Sequence, residues 1–211
     1  MAALIDKINQ EEYGHIVTIE DPIEYIHKNK NCIINQREIG PDTSGFNEAL
    51  RHVLRQDPDY ILIGEMRDLE TVETALRIAE TGHLVLATLH TNGAAQSIDR
   101  MIDVFPEHQQ QQIRIQLAGV LQGIISQRLI PMVGGGRLAA AEVLVATNAV
   151  RNLIREAKTH QIDAVIQTSS ELGMQSMDNT LATHVHAGKI SYEEARNYAV
   201  DPAEFERLMR R

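Results

Sequence analysis

The sequence of 211 residues is poor in the residues that mark several common classes of protein. It has no tryptophan, aromatic residues make up 4%, and its one cysteine is Cys32. A single cysteine excludes an internal disulfide framework and favours a reducing compartment. Because 43% of the residues are hydrophobic, a core can form, but it must be built mainly from alanine, leucine, isoleucine and valine.

Long apolar runs and an excess of basic residues are missing too. No run approaches the roughly 20 apolar residues of a membrane-spanning helix. Asp6 and Lys7 interrupt the N-terminal stretch where a signal peptide would be apolar. The net charge is −9, and no basic stripe is wide enough for a nucleic-acid footprint. The sequence therefore predicts a cytoplasmic protein without direct nucleic-acid contact.

Apolar strands alternate with helices over the first part of the chain. The predicted strands are 15–19, "IINQ" at 33–36, 60–64 and 84–89. The predicted helices are "ALIDKINQ", a helix from a Ser44 N-cap to the Asp57-Pro58 pair, and "LETVETALRIAE", which Gly82 ends. This alternation favours an α/β fold with a parallel sheet covered on both faces. The three longer apolar strands turn polar at their carboxyl ends, which is the edge where open α/β sheets bind ligands.

After residue 93 the pattern becomes mainly helical. Helices are predicted in "AAQSIDRMIDVF" and in "EHQQQQIRIQLAGVLQGIISQRLI", which spans 107–130. A hairpin turned at Gly134–Gly136 follows, and then the short helices "AVRNLIREAK", "QIDAVIQTSSELG", "MDNTLATHVHAG" and "SYEEARNYAV". We place the predicted domain boundary at residue 147, which gives domains of 1–147 and 148–211.

Carboxylates follow two of the predicted strands. Glu20, Asp21 and Glu24 come after the first, and "YILIG" runs into Glu65. An apolar strand ending in an acid is the usual form of a Walker B segment, whose carboxylate holds Mg²⁺ directly or through water. If the two strands are neighbours, one acid can anchor the metal while another orients or deprotonates a water. A solvated acidic turn is the alternative interpretation.

Histidine, threonine and arginine side chains lie in the same part of the sequence. His83 and His90 flank the strand 84–89, and the polar end "LHTN" includes Thr91. Imidazole and hydroxyl groups at a strand end can hydrogen-bond a phosphate. The arginines of this region can either reach a phosphate in a neighbouring subunit or form ordinary surface ion pairs; they are Arg51, Arg55, Arg67 and Arg77.

Together these segments resemble the type IV pilus retraction ATPases, a branch of the hexameric type II/IV secretion ATPase superfamily. The resemblance covers essentially the whole chain. "EDPIE" is similar to the family's Asp box, "ILIGEMRD" to its Walker B segment and "TGHLVLATLHTN" to its His box. "AVRNLIREAK" and "GMQSMD" resemble retraction motors and favour that branch over pilus assembly and type II secretion.

The resemblance implies a RecA-like P-loop NTPase core followed by a helical C-terminal subdomain, with ATP and Mg²⁺ as cofactors. It implies that Glu24, or else Glu20, activates the water and that Glu65 and Glu20 act on Mg²⁺. Other residues would contribute to nucleotide binding: Asp21, His83, His90, Thr91 and Arg55. The implied partners are further copies of the chain in a hexameric ring, the inner-membrane platform protein of the pilus and the pilin machinery. The implied location is the cytoplasmic face of the inner membrane.

One element of the family pattern is absent from the 211 residues. No G-x-x-x-x-G-K-[ST] loop occurs, and the family places that loop just before a helix resembling "ALIDKINQ". We therefore expect an incomplete core, without the first strand and the phosphate cradle, that binds Mg-ATP poorly by itself. Three alternatives stay open: a secretion or DNA-transfer ATPase of the same superfamily, a non-catalytic modulator or relic that docks to intact ring subunits, and a stand-alone metal hydrolase.

Overall fold

The computed structural model describes residues 1–210, which form two compact units, Met1–His90 and the part from Thr91 onward. The first unit is an α/β domain. Its elements are α1 (Ala2–Glu11), β1 (His15–Glu20), β2 (Ile33–Glu38), α2 (Phe46–Val53), a 3-10 helix (Leu54–Gln56), β3 (Tyr60–Ile63), α3 (Leu69–Glu80) and β4 (Leu84–Ala87). The predicted division at residue 147 remains a prediction about domains; the compact units divide at a different point.

The four strands form one parallel sheet in the order β2-β1-β3-β4. Alternate residues of β1 and β3 face opposite layers because successive side chains of a strand point to opposite faces. Val17 and Ile61 pack in a cluster with α2 and α3. Ile16 and Leu62 pack in another cluster with Ile5 of α1. The sheet is thus covered on both faces, as the continuous apolar strands predicted.

The ends of α2 and α3 differ in how well the sequence predicted them. The Ser44 N-cap is wrong: Gly45 is the N-cap of α2 and no side chain caps it, while the Ser44 hydroxyl contacts the carboxylate of Glu48. Asp68 caps α3, since its side chain accepts a hydrogen bond from the Thr71 N–H. Gly82 adopts a φ of +97° just after α3, the left-handed conformation that favours glycine.

The second unit combines a hairpin with helices. Its elements are α4 (Ala94–Asp103), α5 (Glu107–Val120), β5 (Gly123–Pro131), β6 (Arg137–Val145), α6 (Asn148–Arg155), a 3-10 helix (Thr159–Gln161), α7 (Ile162–Thr168), a second 3-10 helix (Ser170–Leu172), α8 (Met177–His186), α9 (Tyr192–Tyr198) and α10 (Pro202–Met209). The strands β5 and β6 pair antiparallel around the glycine turn at 134–136. No helix within residues 1–210 is both long and apolar enough to cross a bilayer.

One prediction for this unit is corrected, and one helix was not predicted. The predicted helix over 107–130 ends at Val120, and residues from Gly123 onward form β5 instead. A short apolar run such as "GIISQRLI" fits either period, and here pairing with β6 decides for the strand. The sequence reading also missed α10, although Asp201 caps it and Pro202 occupies its first turn. Ile130, Leu181 and Phe205 bring the hairpin, α8 and α10 into one apolar cluster.

Candidate active site

The carboxyl ends of β1 and β3 lie side by side. Ile19 is paired with Ile63, and the Gly64 N–H donates to the Ile19 carbonyl at 2.8 Å. A Cβ at residue 64 would lie 3.1 Å from the Ile19 oxygen and 3.2 Å from the Glu20 Cα. Glycine therefore lets the two backbones approach closely, and it places the residues that follow, Glu20 on β1 and Glu65 after β3, on neighbouring strand ends.

Glu65 is a buried acid with two basic partners. Its side chain is 10% exposed. One carboxylate oxygen is 3.0 Å from His90 Nε2, and the other forms an ion pair with Arg67 Nε. An ionised carboxylate only accepts hydrogen bonds, so Nε2 of His90 carries the proton in this contact. A buried carboxylate is costly without such partners. Here the Arg67 guanidinium compensates its charge, and His90 donates a hydrogen bond to it.

The end of β4 is tied to the end of β3 by its backbone. The Met66 N–H donates to the Thr88 carbonyl at 3.0 Å, and the Thr88 hydroxyl donates to the Gly64 carbonyl. These bonds hold the segment before His90 against the segment that carries Glu65. The sequence reading did not identify Thr88, and its one local signal is a hydroxyl directly after an apolar strand.

Glu20 is fixed in a different way, by neutral donors. Its Oε1 accepts from the Thr18 hydroxyl at 2.6 Å and from Gln36 Nε2 at 3.1 Å. Thr18 is fully buried and Glu20 is half-buried. Asp21 and Glu24 are exposed, and within residues 1–210 neither side chain makes a hydrogen bond or an ion pair. Of the three acids predicted to follow the first strand, Glu20, the last residue of β1, is therefore the one that is held in place.

The remaining predicted residues are not brought to Glu65. His83 lies at the start of β4, at the opposite end from His90, and its Nδ1 is 2.9 Å from the Thr81 hydroxyl. Arg55 is exposed in the 3-10 helix whose last residue, Gln56, contacts the His15 ring at the start of β1. Both therefore lie at the amino edge of the sheet.

Thr91 belongs to the second unit, in which its hydroxyl is 2.7 Å from that of Ser97. Its predicted contact with a phosphate stays a prediction, as do the predicted contacts of His83 and Arg55.

Glu20 and Glu65 are the candidate metal ligands at this edge of the sheet. Among residues 1–210, no three histidine, cysteine, aspartate or glutamate side chains are arranged to hold a metal ion. Mg²⁺ keeps several waters and is usually held by one or two carboxylates together with substrate phosphates. The pair of Glu20 and Glu65 on neighbouring strands fits that kind of shared site, and it does not fit a site made by the protein alone.

Comparison with known proteins places this geometry in a family. Residues 1–135 match the type II/IV secretion system protein family. The chain belongs to this family. It is 54% identical over 205 residues to the type IV pilus retraction ATPase PilT of Pseudomonas aeruginosa, covering 97% of this chain and 60% of that protein. It is 51% identical over 200 residues to a twitching motility protein of Neisseria gonorrhoeae, covering 94% and 54%.

The fold agrees with a solved structure of the same kind. The crystal structure of the pilus retraction motor PilT with bound ADP matches with a TM-score of 0.90 and 55% identity, covering 98% of this chain and 58% of that one. The predicted resemblance to retraction ATPases and the predicted α/β P-loop fold class are both confirmed. The chain spans little more than half the length of these relatives.

Proposed function

We propose that this chain is the ATP-hydrolysing part of a motor that retracts a type IV pilus. The observation that carries the proposal is Glu65, a buried acid at a strand end, held by His90 and Arg67 and one strand away from Glu20. The similarity to retraction ATPases along nearly the whole chain supports the same function. ATP and Mg²⁺ are the proposed cofactors. The crystal structure of the pilus retraction motor PilT, which this chain resembles, contains bound ADP.

The side chains divide the chemistry between them. Bound Mg²⁺ would neutralise charge that develops on the transferred phosphoryl group. Glu65 can accept a hydrogen bond from a water while His90 and Arg67 keep its carboxylate in place. Glu20 has one oxygen engaged by Thr18 and Gln36, which leaves the other free to accept a hydrogen bond from a water. Glu20 and Glu24 are the two candidates for the group that deprotonates the attacking water.

We also propose the assembly and location that accompany this function. The chain would act in a hexameric ring at the cytoplasmic face of the inner membrane, where it would work with the pilus platform protein and the pilin machinery. The resemblance to hexameric motors supports the ring. We propose that four further residues contribute to nucleotide binding within this ring: Asp21, His83, Arg55 and Thr91.

Complementation tests the proposal. A chimeric motor, in which residues 1–210 replace the matching segment of P. aeruginosa PilT, would be expressed in a strain that lacks its own retraction ATPase. We expect twitching to be restored by the chimera and abolished by Glu65→Gln. Glu73→Gln is the matched control, because Glu73 is an exposed acid that pairs with Arg77 on α3. A chimera that folds and assembles but neither hydrolyses ATP nor restores twitching would contradict the proposal.

A second candidate function is a non-catalytic modulator that docks to intact motor subunits. The 211 residues contain no G-x-x-x-x-G-K-[ST] loop. Because that loop and its lysine supply most of the phosphate binding, we expect this segment by itself to bind Mg-ATP weakly. Calorimetry of the purified 211-residue chain with Mg-ATP tests this expectation. We expect no saturable binding below about millimolar ATP, and clear sub-millimolar binding would show that the chain has another phosphate site.

The modulator candidate makes its own distinct prediction. Added to an intact motor, the chain would change the ATPase rate, and Glu24→Gln and Glu65→Gln variants would change it equally. If only the wild-type acids support the effect, the chain acts through its catalytic groups and the motor function is favoured.

A further inference from the structure

Gln36 of β2 contacts three parts of the segment that carries the acids. Its Nε2 donates to Glu20 Oε1 at 3.1 Å and to the Tyr25 carbonyl at 2.9 Å. Its Oε1 accepts from the His27 N–H at 2.7 Å. One neutral side chain thus joins the carboxylate at the end of β1 to the loop that follows it.

A second side chain on the same face of β2 extends this arrangement. Glu38, two residues further along the strand, accepts from the Ile23 N–H at 2.9 Å. We call residues 21–27 the acidic turn. The acidic turn is therefore bonded to β2 at three backbone positions, Ile23, Tyr25 and His27, of which Gln36 holds two.

Burial holds the acidic turn only weakly. Tyr25 is 55% exposed and Ile26 is 81% exposed, so these large side chains add little apolar contact. Asp21 and Glu24 are exposed as well. When a loop buries so little surface, its position depends on its hydrogen bonds, and local opening needs little free energy. The bonds to Gln36 and Glu38 therefore determine where Glu24 lies relative to Glu20.

We propose that Gln36 is a positioning residue for the hydrolysis reaction, which orients the Glu20 carboxylate and fixes the acidic turn beside it. This inference rests on the proposed function, because positioning matters only if these acids act on a nucleotide. An amide suits the role chemically, since it donates to the carboxylate and to a carbonyl while accepting from a backbone N–H. Glutamate at this position would keep the acceptor and lose both donors.

Hydrogen exchange on the 211-residue chain tests the anchoring without any nucleotide. In Gln36→Ala the His27 amide should exchange about threefold to tenfold faster, the range expected from one net hydrogen bond. In Gln36→Glu it should stay protected, because the acceptor oxygen is retained. Asn35→Ala is the matched control: Asn35 is the preceding residue of β2, is exposed, and contacts His15 at the other end of β1.

Steady-state kinetics of the chimeric motor then test the positioning. We expect both Gln36→Ala and Gln36→Glu to lower kcat by about tenfold to a hundredfold, with KM within about twofold, because misplacing a catalytic group by about 1 Å has effects of this size. Asn35→Ala should leave both constants unchanged. The Gln36→Glu variant decides between roles, since a residue that merely held the loop would keep its activity when His27 stays protected.

The outcomes separate the two proposals. Unchanged exchange at His27 in Gln36→Ala overturns the anchoring whatever the chimera does. Normal kcat in Gln36→Glu overturns the positioning role. An inactive wild-type chimera counts against the proposed function and against the positioning role that rests on it, while the exchange experiment still decides whether Gln36 anchors the acidic turn.

Discussion

Buried acids occur in both units of the molecule, and they have different partners. In the first unit, Glu65 faces two basic side chains at a sheet edge. In the second, Glu142 accepts from the Ala94 N–H at 2.8 Å, and Asp178 accepts from the N–H groups of Val200 and Asp201 at 2.7 and 2.9 Å. Burial alone therefore does not identify a catalytic acid. The partners differ: they are basic side chains at a strand end in one unit and backbone amides in the other.

The acids of the second unit accept hydrogen bonds from backbone N–H groups that have no acceptor nearby in the sequence. Gly93 is the N-cap of α4 and has no side chain to satisfy the first N–H groups of the helix. Glu142, from β6, takes that role. Asp178 joins the start of α8 to the residues just before α10. Burial raises the pKa of both carboxyls, while the backbone N–H bonds act in the opposite direction.

The largest expected effect is on activity in the first unit. Glu65→Gln in the chimeric motor should reduce ATP hydrolysis by about a hundredfold or more, the size typical of losing the correct position of a reacting group. Its melting temperature should change little, because the amide keeps the shape of the side chain. A Glu65→Gln variant that hydrolyses ATP normally would show that Glu65, like Glu142, has a structural role.

A matched change in the second unit should affect stability. Asp178→Ala leaves two buried N–H groups without their acceptor, and we expect a loss of about 2 kcal/mol in the free energy of unfolding. For a chain of this size, that lowers Tm by about 4–8 °C. Asp178→Asn keeps one acceptor oxygen and should lose less. Thermal melts of the 211-residue variants measure the difference, and equal melts for all three chains would contradict the role given to Asp178.

The smallest effect is a dependence on pH at Glu142. Glu142→Ala removes the cap of α4 and should cost about 1 kcal/mol, whereas Glu142→Gln keeps an acceptor. Burial raises the pKa of Glu142 above its ordinary value of 4.5, and the nearby Asp163 and Asp178 raise it further. A raised pKa means that the protonated carboxyl is the more stable one in the folded chain, so its contribution is full below pH 4.5 and is lost as pH rises through the raised pKa.

The direction of this pKa shift determines how the stability should change with pH. The Glu142→Gln variant has no such loss, so its unfolding free energy relative to wild type should increase as the pH rises from about 4.5 through the raised pKa of Glu142. Denaturant melts over that range measure it. A constant difference between the two proteins across the range would show that Glu142 has the same pKa in the folded and unfolded chain.

The two units also differ in how far the local sequence predicts their structure. In the first unit, local sequence pattern predicts the apolar strands, the helix between Asp68 and Gly82, and the acids at the strand ends. The partners of those acids do not. Gln36 lies in a strand that the sequence predicted, but its bonds reach back 9 to 16 residues to the acidic turn and Glu20. No local rule states that an amide on one strand orients an acid on the next.

In the second unit the limits of local pattern are wider. The run after Val120 fits a helix or a strand, and it becomes β5 because β6 is available to pair with it. In the sequence, Glu142 is simply a polar residue in a hairpin strand. The backbone N–H that it caps is 48 residues earlier in the chain. The start of α10, by contrast, carries a local signal in Asp201-Pro202 that the sequence reading did not use.

Gly64 has a consequence for genetics. Every codon change at a glycine that alters the residue adds a Cβ, and here that atom would meet the backbone of a neighbouring buried strand at 3.1 Å. No substitution at position 64 is conservative, because even alanine must move β1 away by a few tenths of an ångström. In a saturation mutagenesis screen, we therefore expect substitutions at this residue without a side chain to be poorly tolerated.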